Sequence, residues 1–215
     1  WPNTITETID CTRFTEDKTG SGWEWDHATK TLKITGDLLI KITQKKGNDN
    51  YGIILPGEAT LDTNGKKLYV AIVSDGTTYG NGDCVYSSGA ITIKGTLMAG
   101  RQGGDIFAVA ANKVILSDGA QIEANSCIGG VVTPELVVNG DNAILADYWC
   151  IVQFNDNVNI TGSGTLTLDC GATPINCNSY TVEDSVTLKF NLSPVSKDSI
   201  TLTVPDSLKD GIKYD

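Results

Sequence analysis

Residues 104–170 state one pattern three times, and this repetition constrains the fold more than any other feature of the chain. The first pass runs Asp105-Ile106-Phe107-Ala108-Val109, then Lys113-Val114-Ile115-Leu116, then Gln121-Ile122-Glu123-Ala124. The second runs Cys127-Ile128-Gly129-Gly130-Val131, Glu135-Leu136-Val137-Val138 and Ala143-Ile144-Leu145-Ala146. The third runs Cys150-Ile151-Val152-Gln153-Phe154, Asn157-Val158-Asn159-Ile160 and Thr165-Leu166-Thr167-Leu168. Short apolar runs are broken each time by Gly, Asn, Asp, Ser or Pro. With Ile106, Ile128 and Ile151 taken as equivalent, the steps are 22 and 23 residues. A period of this length with three strands per pass predicts a solenoid of parallel β-strands, since a single pass cannot bury its apolar face alone.

The flanking sequence continues the pattern. Thr4-Ile5-Thr6-Glu7-Thr8-Ile9-Asp10-Cys11 alternates with period 2. Trp23-Glu24-Trp25 and Thr31-Leu32-Lys33-Ile34 read as strands around the turn Asp26-His27-Ala28-Thr29-Lys30. Residues 1–30 are therefore expected to form an N-terminal β cap, with Trp23 and Trp25 covering the open end of a solenoid that spans 31–215. Strands are expected at Leu38-Leu39-Ile40, Gly52-Ile53-Ile54-Leu55, Leu68-Tyr69-Val70, Ala90-Ile91-Thr92-Ile93 and Leu97-Met98-Ala99. Further runs follow at Ile175, Val182, Val186-Thr187-Leu188 and Ser199-Ile200-Thr201-Leu202-Thr203-Val204, with exit turns at 205–207 and 209–211. No stretch shows the i, i+3, i+4, i+7 spacing of an amphipathic helix. The fold class is thus all-β: a single-stranded right-handed parallel β-helix of about seven turns, the hand following from the near-universal right-handed crossover between parallel strands.

Composition narrows the partners. The formal net charge is −10, which repels nucleic-acid phosphate and anionic lipid. No apolar run is long enough for a membrane-spanning helix, so no membrane insertion is expected. A chain that opens on Trp1, with one methionine and much Thr, Asn, Asp and Gly, reads as a mature secreted or cell-surface bacterial protein, expected to be monomeric. The six cysteines include no CxxC pair and there is one histidine, His27, which argues against structural zinc. Cys84, Cys127 and Cys150 share a phase in the pattern. They form either a column of small buried thiols or disulfides, for which Cys127–Cys150 and Cys170–Cys177 are the best candidates.

Three longer loops, 43–50, 74–83 and 100–105, each join a third strand to the next first strand. In a solenoid they fall along one edge, and insertions on one edge often form the binding face. They bring Lys45, Lys46, Asp49 and Tyr51 to a rim with Asp75, Tyr79, Asn81, Asp83, Arg101 and Asp105, extended by Asp147, Tyr148 and Trp149. Tyr79 and Trp149 supply flat faces for a pyranose ring, and the acids and amides supply partners for its hydroxyls. A polysaccharide or surface glycan is the expected partner. Asp75, Asp83 and Asp105 are also oxygen donors of the type that Ca²⁺ requires.

The pattern as a whole resembles the single-stranded right-handed β-helix of the pectate-lyase-like superfamily. Ser21-Gly22-Trp23-Glu24-Trp25-Asp26-His27-Ala28-Thr29-Lys30-Thr31-Leu32 is similar to a Gly-Trp-x-Trp/Tyr-Asp-x-x-Thr-x-Thr-Leu opening of exported bacterial β-helix proteins, some of them carbohydrate-binding. That resemblance implies a non-catalytic glycan-binding or adhesin-like surface module. Asn81-Gly82-Asp83-Cys84-Val85 resembles the Gly-Asp-Asp-Cys-Ile/Val segment of polygalacturonase-type hydrolases, with Gly82 in place of the first acid. The Gly-His-Gly and Arg-x-Lys segments of those hydrolases are missing. Lyases of this fold use Arg or Lys as a base beside Ca²⁺. An enzyme acting on acidic polysaccharide would therefore rest on Asp83, Asp105 and Arg101, and inverting hydrolysis would need the two carboxyls roughly 6.5–9.5 Å apart.

Overall fold

A computed structural model of the protein describes residues 1–47, 50–192 and 200–203. The strands are β1 (Asn3–Ile5), β2 (Ile9–Asp10), β3 (Lys18–Gly20), β4 (Trp23–Asp26), β5 (Thr31–Ile34), β6 (Leu38–Thr43), β7 (Asn50–Ile54), β8 (Ala59–Asp62), β9 (Leu68–Val73) and β10 (Asn81–Tyr86). They continue as β11 (Ala90–Gln102), β12 (Asp105–Ala110), β13 (Lys113–Asn125), β14 (Gly129–Val132), β15 (Glu135–Asn139), β16 (Asn142–Ala146), β17 (Trp149–Cys170), β18 (Ile175–Val182), β19 (Val186–Leu192) and β20 (Ile200–Thr203). One 3-10 turn, Cys11–Arg13, is the only helical element among the described residues, and no helix there is long and apolar enough to cross a membrane. The expected strand at 199–204 is present as β20. Asp49 and the exit turns at 205–207 and 209–211 lie outside the described residues.

The protein is all-β, and its strands pair mainly in parallel, in three ladders. The first ladder runs β2, β7, β10, β12, β14, the start of β17, then β18. The second runs β5, β8, the first half of β11, the first half of β13, β15, the middle of β17, then the second half of β18. The third runs β1, β6, β9, the second halves of β11 and β13, β16, the end of β17, then β19. Antiparallel pairing occurs where β3, β4 and β5 form a meander and where β20 lies against β19.

Register turns the apolar runs into columns. In the first ladder Ile9, Ile53, Val85, Val109, Val131, Ile151 and Ile175 stack on one another, all buried. In the third, Leu38, Leu68, Leu97, Ile122, Ile144, Leu168 and Phe190 do the same. The second contributes Ala59, Ile91, Val114, Leu136 and Ile160. Each fully buried aliphatic side chain stabilises the fold by about 1.5–3 kcal/mol relative to exposure, before chain entropy is counted. β-Branched residues suit these pleated, half-covered positions.

The register corrects two readings of the sequence. Phe107 pairs with Gly129, which keeps Ile106 and Ile128 in phase, but Val131, not Ile128, pairs with Ile151. The second step is thus 20 residues and not 23, and the corner before Cys150 is the shorter of the two. The cysteine phase is broken in the same way. The position in register with Cys150 is that of Gly130, three residues beyond Cys127, so Cys127 and Cys150 are not stacked. Cys170 ends a third-ladder strand while Cys177 lies in the first ladder. All six cysteines are free thiols, five of them buried. Cys84 donates to the Val70 carbonyl at 3.3 Å and Cys150 to the Ile144 carbonyl at 3.2 Å, and burial pushes both thiols well above their ordinary range.

Several runs expected as separate strands are continuous, because β11, β13 and β17 bend through glycine, with the β11–β13 register shifting between Lys94 and Thr96. Gly162 in β17 has φ +103°, and a Cβ there would stand 2.1 Å from the Val138 carbonyl oxygen, so only glycine fits this corner. The Trp-Asp-Thr segment has a local cause as well. β4 and β5 pair Trp25 with Leu32 and Trp23 with Ile34. Asp26 accepts the Thr29 N–H at 2.9 Å to close the turn, and that bond holds its carboxyl below the usual range. Trp23 and Trp25 are buried, Trp23 stacking on Phe14 at 5.8 Å, and they join the apolar interior rather than offering rings to solvent.

Candidate functional site

The outward side of the first ladder carries a groove of about 530 Å3. Its geometry follows from strand alternation. In β10, Gly82 and Cys84 point inward, so Asp83 points out, and in β12 the same phase turns Phe107 out. Tyr51 pairs with Asp83, Asp83 with Phe107, Phe107 with Gly129 and Gly129 with Trp149. These residues form one outward column, with rungs about 4.8 Å apart. The Asp83 carboxylate is therefore held between the Tyr51 and Phe107 rings. Asn81 and Asp105, themselves a register pair, lie two residues upstream along the same strands and line the same groove.

Gly129 interrupts the column. A Cβ there would come 3.0 Å from the Phe107 ring and 3.1 Å from Val152, so the missing side chain gives that ring its space. Beyond the gap Trp149 meets Phe154 edge to face, with centroids 5.6 Å apart, and Phe154 meets Phe107 at 6.3 Å. On the other side Tyr51 stacks on Tyr86 at 4.7 Å. A hollow of about 310 Å3 along Tyr86, Ala110, Val132 and Gln153 continues this face. Edge-to-face pairs of this kind hold rings in fixed orientations.

Burial pushes the Asp83 carboxyl up to about 7. Among the described residues it takes part in no ion pair or hydrogen bond, so nothing offsets the loss of water around it. Near neutrality it titrates, and over part of the ordinary pH range it can donate a proton to a bound group. Among the described residues no lysine or arginine lines the groove.

The remaining rim residues go elsewhere. Asp75 closes its own turn, accepting the N–H groups of Thr77 and Thr78 at 2.8 Å each, which keeps its carboxyl below the usual range. Tyr79 is 58% exposed and lies over Gly103, outside the groove. Arg101 donates to the Ser126 carbonyl at 2.5 Å and to the Gly104 carbonyl, so its guanidinium is occupied by the backbone. Tyr148 is 52% exposed, 6.5 Å from Trp149 and beyond the groove lining. Asp75, Asp83 and Asp105 do not come together, and among the described residues no group of three His, Cys, Asp or Glu side chains could hold a metal ion. Asn81 and Asp83 lie in strand β10 and not in a loop, because the 74–83 insertion ends at Gly80.

The insertions are fastened by buried amides. Gln44 donates to the carbonyls of Gln102 at 3.0 Å and Gly103 at 2.9 Å, and accepts the Gly80 N–H at 2.8 Å. Asn50 accepts the Lys45 N–H at 2.7 Å and donates to the Lys45 and Asn81 carbonyls at 2.9 Å each. Phe107 and Phe154 were absent from the rim expected from loop phase. Phe107 was detectable from its odd-numbered phase with Asp105 in an alternating strand; Phe154 lies within the register irregularity between Gln153 and Asn157, and no periodicity announces it. Comparison with models of known families, with curated proteins and with solved structures finds no match for the chain.

Proposed function

We propose that the chain is a right-handed parallel β-helix of about seven turns, capped by its N-terminal meander, that serves as an exported, non-catalytic glycan-binding module. The three parallel ladders support the architecture, and the groove supports the function. The observation that carries the functional reading is the pairing of fixed rings with polar groups. Trp149, Phe154 and Phe107 present apolar faces to a sugar ring, and Asn81, Asp83 and Asp105 stand beside them to bond its hydroxyls. Rings stacked in pairs lose little conformational entropy on binding. The position of the groove on strands and not on loops adds to its rigidity.

Affinity-gel retardation on neutral and acidic polysaccharides, with Ca²⁺ and with chelator, tests the reading. Retardation by a glycan that is lost in Trp149→Ala supports it. No retardation on any glycan removes it, and chelator sensitivity would bring in the metal that the acidic side chains alone do not assemble.

A hydrolase is the second reading, and one observation favours it. A carboxyl that keeps its proton near neutrality is suited to general acid catalysis, with Asp105 on the adjacent strand as its partner. Lyase chemistry through Arg101 gains no such support, since its guanidinium is bound to two carbonyls. Release of reducing ends from a retarded glycan, abolished in Asp83→Asn, would move the protein to the hydrolase reading.

A further inference from the structure

We propose that the end of the groove built by Tyr51, Asp83 and Phe107 binds an organic ammonium group, carried on the glycan as an amino sugar or as a quaternary ammonium substituent. The proposal rests on the glycan-binding reading and names the chemistry its ligand must carry. Three features of the site converge on it. Asp83 sits one rung from an aromatic ring on either side, so a cation above the carboxylate lies within about 6 Å of both ring faces. Asp105 adds a second carboxylate to the lining, and among the described residues no lysine or arginine lines the groove to answer either of them. The Asp83 carboxylate is without a partner among the described residues, so the ligand is what supplies the missing charge.

Competing occupants fit less well. A hard metal ion needs six to eight oxygens; here rings stand on two sides of the carboxylate, and no group of three ligating side chains gathers among the described residues. A uronate would bring a third carboxylate to Asp83 and Asp105. A neutral sugar leaves Asp83 as it is. A quaternary ammonium is weakly hydrated and accepts aromatic walls, a primary one donates hydrogen bonds to the carboxylate, and either is charged enough to keep that carboxylate ionised. The groups facing Asp83 are Tyr51 from β7, Phe107 and Asp105 from β12, and Asn81 and the inward Cys84 on its own strand. Binding of the cation therefore displaces the proton that Asp83 holds below about pH 7.

Tryptophan fluorescence and calorimetric titration of the whole chain test this with choline against its uncharged isostere 3,3-dimethylbutan-1-ol. A second pair is a glucosamine tetramer against its N-acetylated form. The expected result is choline binding about tenfold or more tighter than the isostere, with affinity rising about tenfold from pH 5.5 to 8. Choline keeps its charge throughout, so that rise belongs to the protein. Asp83→Asn is expected to remove both the preference for choline over its isostere and the pH dependence. The N-acetylated tetramer binding with no preference for choline over its isostere and none for the glucosamine tetramer overturns the proposal and leaves glycan binding standing. No binding by any of the four overturns both. Preference for the glucosamine tetramer without a response to choline assigns the cation to an amino sugar; a response to choline alone assigns it to a quaternary substituent.

Discussion

The same strands of the first ladder build two columns that obey different rules. The inward column from Ile9 to Ile175 is aliphatic at every rung. The outward column reads Tyr51, Asp83, Phe107, Gly129 and Trp149, with no two successive residues alike. Inside, every rung has the same neighbours above and below, so one solution serves them all. Outside, each rung faces solvent or ligand on its own terms, and the repeat stops dictating the residue. Stability lives in the uniform column, and the proposed recognition in the irregular one.

Four changes sharpen or break that division. Ile122→Ala opens a cavity between Leu97 and Ile144 and is expected to cost about 2–5 kcal/mol in denaturant unfolding. A loss below about 1 kcal/mol would mean that the interior is not packed as tightly as its burial indicates. Asp83→Asn acts in the opposite sense. The unfolded carboxyl titrates near 3.9 and the folded one at about 7, so between these values the unfolded chain holds fewer protons. Wild-type stability therefore falls as pH rises through that window, by a few kcal/mol in all, and the loss is complete above it. The variant is expected to lack this decline, and identical pH profiles for the two proteins would show that Asp83 is not held in a dry site.

Trp149→Ala probes the outward column alone. Glycan affinity is expected to drop by about 1–2 kcal/mol, the usual cost of removing a stacked ring from a site, with unfolding changed less than by Ile122→Ala. A larger effect on unfolding than on binding would put Trp149 in the structural column after all. The smallest change expected is at Trp25, whose indole N–H is buried without a hydrogen-bond partner. Trp25→Phe removes that orphaned donor and keeps a ring, and a gain of up to about 1 kcal/mol is expected, measured by thermal melting.

The inward column was legible in the sequence because aliphatic residues at period 2 have a single reading as buried strands. Its spacing was not. The steps from Ile53 to Val85, Val109, Val131 and Ile151 are 32, 24, 22 and 20 residues, so corners of changing length conceal a constant structural step. With Ile128 and Val131 both aliphatic and three residues apart, the choice between them is settled only by pairing. The same variation hid the groove. Asp83, Asp105, Asn81 and Trp149 could be placed on one rim by loop phase, and they do line one groove. Asp75, Tyr79 and Arg101 shared that phase, but Asp75 is taken up by its own turn, Arg101 by backbone carbonyls that include Ser126 on the next pass, and Tyr79 by its place over Gly103, none of which loop phase encodes.

Gln44 ties three separate passes of the chain together with one buried side chain, and this bears on when the groove is ordered. The Gly80 amide that it holds leads directly into Asn81, and Gly103 and Gly104 lead into Asp105. These segments are fixed by folding, not by a ligand. Their amides are expected to exchange with deuterium as slowly in the free protein as in the complex, and the entropy of ordering them is absent from the cost of binding.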